Sequence, residues 1–314
     1  MTTALQKISA PGAYKDLPMS FYHGDCCVEE SVSSTVLRAV EQRSLRHGWL
    51  ASHLNPDKEE SSKDHFRLGT ALHTIAFEGE LSKKHFAISE FDEFRTNEAK
   101  RWRDAQINAG RTVLKKKDLK LVRDMCDALL EEPAIQQGLF DEKGEVETSV
   151  IHRDEETGLW LKVRPDVVPI NPVLVDLKTT ADASRRSVEY AVLDHGYHQQ
   201  LALAAEVIEK VVGTKIEECW LVLIEKEPPH TVVFAEIEMD LIAWGRVLNR
   251  GAMRRFAECL AKGREAKHFP RNYRDGELTI RTPTWYHEQL AKRQEADELP
   301  THFDAGITGG AMNL

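Results

Sequence analysis

Long apolar runs are missing from this chain of 314 residues. No stretch approaches 18 consecutive apolar residues, so the signature of a membrane-spanning helix is absent. The first twenty residues hold no signal-peptide core either, because Lys7, Pro11, Gly12, Lys15 and Asp16 interrupt them. Cysteine is sparse: Cys26, Cys27, Cys126, Cys219 and Cys259. They contain no C-x-x-C pair, so no zinc, dithiol redox or iron–sulfur ligand set can be assembled from their spacing, and reduced thiols in a cytoplasmic protein are expected. Positive charge is in deficit, giving a net charge of -9. That argues against generic coating of nucleic acid, but a local basic groove can steer a polyanion despite an acidic total. Lys115-Lys116-Lys117, Arg101 with Arg103, and Arg185-Arg186 are the groove candidates, with solvated helix faces as the alternative. Internal repeats and low-complexity tracts are also missing.

Hydrophobic residues at 41% and charged residues at 30% describe a globular protein able to bury a substantial core. The first part reads as helical. Ser33 or Ser34 is placed to cap a helix running to about Leu50, and Asn55-Pro56-Asp57 breaks the chain. The spacing of Leu68, Leu72, Ile75 and Ala76 predicts a helix over 64–78, stopped by Gly79. Helices are expected over 98–109 and 117–130, with Pro133 opening a short one. Near residue 144 the period changes. Strands are expected over 145–152, 159–168 and 173–178, the first two joined by a turn at Asp154–Gly158. Helices over 184–193 and 198–211, strands over 219–224 and 231–237, and a long helix over 240–260 follow. The expected class is α/β, a central mixed sheet flanked by helices with a helical N-terminal elaboration. Residues 1–140 form that elaboration, 141–270 the catalytic core, and 271–314 a partly flexible extension.

The chemistry centres on Val175-Asp176-Leu177-Lys178-Thr179-Thr180. On a strand, Asp176 and Lys178 share one face while Leu177 turns away. Asp176 follows Val173-Leu174-Val175, where an unpartnered carboxylate is costly, and a plain Asp–Lys pair is the bland account. That account leaves Asp166 of Arg164-Pro165-Asp166 without a role. Two carboxylates and a lysine together could hold Mg²⁺ or Mn²⁺ and act on a phosphodiester, whose charge repels an attacking hydroxide. The ammonium would orient water or stabilise developing charge; a proton-accepting role would need a lowered pKa. His73 lies four residues after Gly69, on one helical face, and the glycine could admit another backbone. A structural histidine is the alternative. Glu147 is a candidate fourth ligand, with Glu145 competing because it has the same strand parity. Gln200 and Tyr197 open an apolar helix where they could meet phosphate, or merely cap and pack. Thr179 and Thr180 could contact phosphate or cap the next segment.

The ordered set Gly69-x-x-x-His73, Arg164-Pro165-Asp166, Asp176-x-Lys178-Thr179-Thr180 and Tyr197-His198-x-Gln200 resembles the PD-(D/E)XK nucleases, most of all their RecE-like exonuclease VIII branch. Tyr22-His23 and Val32–Leu37 are similar to the opening of that branch. The resemblance implies a restriction-endonuclease-like core. It makes His73, Asp166 and Asp176 metal ligands with Glu147 beside them, Lys178 the catalytic lysine, and Gln200 the glutamine of a Q-x-x-x-Y element. Apart from the resemblance, Tyr197, Thr179 and Arg164 are the candidate substrate contacts. Ala204 stands where that element has tyrosine, a departure that bears on substrate handling more than on metal chemistry. The resemblance further implies Mg²⁺-dependent 5′→3′ digestion of linear double-stranded DNA from its ends, leaving 3′ tails for recombination. It brings a single-strand annealing partner, a ring-like homo-oligomer, no membrane association, and a phage or prophage gene expressed in bacterial cytoplasm. A RecB-like exonuclease of other polarity or strand preference, a non-catalytic DNA- or protein-binding module on the same fold, and an acidic inhibitor or mimic are the alternatives.

Overall fold

Residues 6–58, 67–140, 143–271, 284–296 and 298 are described by the computed structural model. The chain divides into two units, Met1–Arg271 and Asn272–Leu314. The second contributes one described helix, Thr284–Glu295, and the glycine-rich tail after Pro300 lies outside the described residues.

The first unit opens with β1 (Gly12–Lys15), α1 (Met19–His23), β2 (Ser31–Ser33), α2 (Ser34–Gln42), α3 (Leu45–Ala51) and α4 (Arg67–Glu78). Next come β3 (Phe86–Ser89), α5 (Asn97–Asn108), β4 (Thr112–Lys115), α6 (Lys116–Glu131) and α7 (Pro133–Gln136). The sheet-rich part holds β5 (Glu145–Val146), β6 (Thr148–Arg153), β7 (Trp160–Val163), β8 (Val167–Val168) and β9 (Val173–Thr180). It continues through α8 (Arg185–Asp194), α9 (Tyr197–Val211), β10 (Glu218–Glu225), β11 (Val232–Glu236) and α10 (Met239–Lys262).

Two mixed sheets carry the architecture. One has the order β11-β10-β9, with β9 parallel and β11 antiparallel to β10. The other has the order β1-β6-β7-β2, with β2 parallel to β7. Side chains alternate across β9 and β10 and so enter two separate cores. Leu174, Leu221 and Leu223 pack with Val36, Leu37 and Val40 of α2, the apolar residues of α9, and Met253 and Phe256 of α10. Val175, Leu177, Val222 and Ile224 pack with Leu72 of α4 and Val122, Met125 and Leu129 of α6. Helices thus cover both faces, as a sheet with a parallel pair requires. This is the expected α/β fold, mixed sheet flanked by helices with a helical N-terminal elaboration. α9 is apolar almost all round because it is enclosed; Leu201 to Ala205, Val207 and Ile208 are all buried. The five cysteines are free and buried. No helix among the described residues is long and apolar enough to cross a membrane.

Several elements differ from expectation for local reasons. The helix expected from Ser33 or Ser34 to Leu50 is two helices, since Ser44 accepts from the His47 amide and caps α3 afresh. The strand expected over 145–152 breaks at Glu147, whose φ of 53° interrupts the pleat. The strand expected over 159–168 ends at Val163 and resumes at Val167, because Pro165 cannot donate to a ladder. Strands β1 to β4 are only three or four residues long and too short for periodicity to announce. Part of the helix expected over 64–78 lies outside the described residues; it is seen from Arg67 onward.

Asp154 ties the β6–β7 turn to α10. Its Oδ2 accepts from the Thr157 amide at 2.9 Å and hydroxyl at 2.6 Å, and its Oδ1 accepts from Arg250 Nη1 at 2.8 Å. Burial would raise this carboxyl, but Thr157 and Arg250 outweigh it and hold the pKa below the usual carboxylate value. The D154A variant should lose about 2–4 kcal/mol in urea denaturation at pH 7. A depressed native pKa adds stability above the unfolded value, so the gap between wild type and variant should be full above about pH 5. It should shrink as pH falls through the native pKa.

Candidate active site

The site assembles at the free edge of β9. β10 occupies one edge of that strand, in register from Val173 to Thr180, so amides on the other edge need partners. Asp166, in the turn between β7 and β8, supplies one: its Oδ2 accepts from the Leu177 amide at 2.7 Å. Its Oδ1 lies 2.7 Å from Nδ1 of His73, which projects from α4. Phe77, one turn further along α4, backs the imidazole at a centroid distance of 6.0 Å. On β9, Asp176 Oδ2 lies 2.5 Å from Lys178 Nζ. From α9, Gln200 Nε2 donates to Asp176 Oδ1 at 2.8 Å. Tyr197, at the start of α9, places its ring 5.7 Å from Lys178 Nζ. Leu177 turns away into the second core, fully buried, as strand alternation requires.

The charges are set by burial and by each other. Burial would raise Asp166, but His73 outweighs it and the carboxyl is held low. Asp176 is pushed up, first by burial and then by the charge of Asp166, against the opposing pull of Lys178. Burial would lower Lys178, yet Asp176 and Asp166 raise it above the ordinary amine value. The two carboxylates thus favour the ammonium form of Lys178. Burial would likewise lower His73, and Asp166 raises it.

Two carboxylates supply oxygen donors of the kind a hard divalent cation takes. Asp176 Oδ2 is buried and faces Lys178 without a hydrogen bond of good geometry, which leaves a lone pair for such an ion. Among the described residues no three His, Cys, Asp or Glu groups stand in a ligating arrangement; His73 and Asp166 engage each other. Mg²⁺ is commonly held by one or two carboxylates with several waters retained, so the residues present fit it.

Other residues singled out by sequence have these surroundings, Arg164 lining a cavity with Asp176 and Gln200. Glu147 is half exposed, with its Oε2 3.6 Å from Arg164 Nη1. Its φ of 53° takes it out of the pleat, so strand parity does not set its direction. Glu145 sits on β5, where Thr148 Oγ1 lies 3.4 Å from its Oε2. Arg164 donates to Ser149 Oγ at 2.8 Å and to the Leu17 carbonyl, and lies over the Tyr22 ring at 5.1 Å. Gly69 faces a side chain and no backbone: the nearest atom to a Cβ built there is Thr179 Oγ1, at 3.8 Å. Thr180 donates to the Asp182 carbonyl and so shapes the turn after β9.

Sequence reading missed Arg38, and named Tyr22 only in the opening segment without a role at the site. Arg38 Nη1 donates to the His195 carbonyl at 2.6 Å, and the guanidinium lies close enough to Asp176 to feel its charge. It clamps the turn that launches α9. Tyr22 lines a cavity of about 80 Å³ together with Asp176, Gln200, Lys162 and Ala204. The phenol of Tyr22 thus borders the space beside the alanine. Nothing local in the sequence links residue 38 to 195 or 22 to 204.

Residues 43–269 match the family described as a PDDEXK-like domain of unknown function, DUF3799. The chain belongs to this family. The crystal structure of a Eubacterium rectale protein described as a "putative exonuclease" superposes with a TM-score of 0.56 at 13% identity, covering 88% of this chain and 98% of that one. At that identity the likeness shows a shared fold. No curated protein matches the sequence.

Two glycines test the packing of the site. Gly196 has φ 64°, and a Cβ there would stand 2.6 Å from Gln42 Nε2 and 2.9 Å from Arg38 Cδ. G196A should therefore cost about 2 kcal/mol or more. G69A has room and removes a helix-weakening residue, so it should leave stability unchanged or raise it by up to about 1 kcal/mol. Chemical denaturation of the two variants measures the contrast.

Proposed function

We propose that this protein is a metal-dependent exodeoxyribonuclease of the RecE-like kind, hydrolysing linear double-stranded DNA from its 5′ ends and leaving 3′ single-stranded tails. The observation that carries the reading is the meeting of His73, Asp166, Asp176, Lys178 and Gln200, from a helix, a turn, a strand and a second helix, around one buried edge. A structural ion pair needs two groups; five convergent polar groups with carboxyl pKa values driven apart are the arrangement of a reaction centre. Polarity, duplex preference and the recombination role rest on the motif resemblance. So do the annealing-protein partner, the ring-like homo-oligomer and the phage or prophage setting in bacterial cytoplasm.

Asp166 and Asp176 would hold Mg²⁺ or Mn²⁺, with His73 beside them. The ion, when bound, supplies charge neutralisation at the phosphate and a water of lowered pKa. The chain's own residues do the rest. His73 and the Leu177 amide hold Asp166 ionised and fixed in direction. Gln200 fixes Asp176 through Oδ1 and leaves Oδ2 turned to the site. Lys178, kept protonated by two carboxylates, donates to the oxygen on which charge accumulates. Tyr197 and Thr179, at the same end of β9 and α9, meet the strand being cut. Arg164, which lines the cavity beside Asp176 and pairs with Glu147, would face the substrate strand.

The test is digestion of linear duplexes labelled at either the 5′ or the 3′ end, in Mg²⁺, beside a covalently closed circle. Early release of the 5′ label, resistance of the circle and arrest by chelator are expected. D176A should abolish cleavage while the protein stays folded; digestion at the wild-type rate would overturn the assignment. K178A should slow turnover on the order of 10²–10³-fold with metal affinity much less changed.

A further inference from the structure

The segment from Lys83 to Lys120 carries eleven basic residues against six acidic ones, inside a chain whose net charge is -9. It contains the parallel β3–β4 pair, α5 and the start of α6. α5 is an unusual helix for a folded core, since Ala99 is its single buried residue. A helix polar on every side is not held by burial of an apolar stripe. Two other devices hold it. Thr96 Oγ1 accepts from the Ala99 amide at 3.2 Å and caps the helix. Trp102 stacks on Phe94 at 6.4 Å with 11° between planes, and meets Phe91 edge-on at 6.1 Å.

That aromatic cluster gathers cations. Arg103 lies 5.6 Å and Lys115 lies 5.4 Å from the Phe94 ring. Lys100 is three residues from Arg103 and shares its helix face. Arg95 and Lys117 both stand close enough to Glu93 to influence its ionisation. The acids of the segment are mostly engaged: Glu93 with Lys115 at 3.1 Å, Glu90 with Lys116 at 2.5 Å, and Asp104 with Arg103 at 2.7 Å. Asp118 is buried and accepts from the Lys115 amide. Arg95, Lys100 and Lys117 are exposed and have no ion-pair partner among the described residues, against the exposed acids Asp92 and Glu98.

We infer that this lobe is a docking surface for the phosphate backbone of duplex DNA, separate from the cluster at β9. The inference rests on the nuclease reading for its choice of polyanion. Like charges assembled on a rigid, weakly buried platform repel one another until a polyanion meets them. The aromatic rings are turned on each other and on Arg103 and Lys115, so they build the platform and do not stack bases. Recognition is then by charge and spacing, without base readout. The lobe adjoins α4 through α6 and β4, so duplex held there would lie on the side of the sheet that carries His73.

The test is equilibrium binding of a labelled linear duplex to the full chain in chelator, followed by fluorescence anisotropy from 50 to 200 mM salt. The triple variant R95A/K100A/K117A should lower the slope of log affinity against log salt by about 2–3, since each lost phosphate contact is worth about 0.9. Its affinity at the lowest salt should fall at least tenfold, with an unchanged thermal midpoint. Slope and affinity equal to wild type, or a wild type that does not bind duplex, would overturn the inference. So would polyglutamate displacing the duplex equally well per charge, which would indicate an acidic protein partner instead. Cleavage of end-labelled duplex in Mg²⁺ separates the two readings. Cleavage with no lobe-dependent slope sinks this inference alone, and lobe-dependent binding without any cleavage sinks the nuclease reading alone.

Discussion

The carboxylate of Asp166 joins parts of the molecule that the chain keeps far apart. One oxygen takes the imidazole of His73 from α4, and the other takes the Leu177 amide at the open edge of β9. β9 is short of a neighbour on that side, and a buried edge amide without an acceptor is costly. Asp166 removes that cost and, in doing so, brings a buried negative charge next to Asp176. The charge is tolerable only because His73 and Lys178 stand close to it. Satisfying the edge of the sheet and assembling the charged centre are thus one act of packing. A substitution at Asp166 would be felt in stability and in chemistry together, which is why Asp176, held by side chains alone, separates the two more cleanly.

The same centre explains how two aspartates a few residues apart in the fold acquire different characters. Both are buried, so desolvation raises each of them. His73 and a backbone amide pull Asp166 down. Asp176 has Lys178 and Gln200 but also the charge of Asp166, and it ends raised. The lysine is the beneficiary, since two carboxylates keep it protonated despite its burial. Environment, not residue type, separates the two carboxyls and favours the charged form of the lysine.

Much of this arrangement is legible in sequence because it rests on short-range periodicity. The alternation of Val175, Asp176, Leu177 and Lys178 places the acid and the amine on one side and the leucine on the other, as found. The apolar spacing of Leu68, Leu72 and Ile75 places α4, and the dense run Leu201–Ala205 marks a buried helix. What periodicity cannot carry is a break in its own rule. Glu147 adopts a positive φ, so counting by twos along residues 145–152 does not fix where its side chain goes. Pro165 cuts a strand that alternation alone would continue, and that cut is what frees Asp166 to turn toward β9. The tiny strands β1 to β4 pair with partners distant in sequence, and their three or four residues hold no period. The roles of Arg38 and Tyr22 are invisible for a related reason: their partners are set by how α2 and α1 dock, not by any local spacing.

Those two residues bear on the one departure from the nuclease pattern, Ala204. If the tyrosine of that element were needed to place the glutamine one turn before it, its loss would leave Gln200 unsupported. Gln200 is instead placed by the helix as a whole. α9 is enclosed on nearly every side, and its first turn is pinned by Arg38 and Gln42, which donate to the carbonyls of His195 and Leu193. Gly196 must be a glycine because those same side chains leave no room for a Cβ. The position of the glutamine is therefore fixed from α2, upstream of the residue that is missing. The space beside Ala204 is bordered by the ring of Tyr22, which Arg164 and Lys162 approach at 5.1 and 5.5 Å. A small residue at 204 and an aromatic ring from α1 both line a cavity next to Asp176, so the departure changes the wall of the site without loosening the groups that form it.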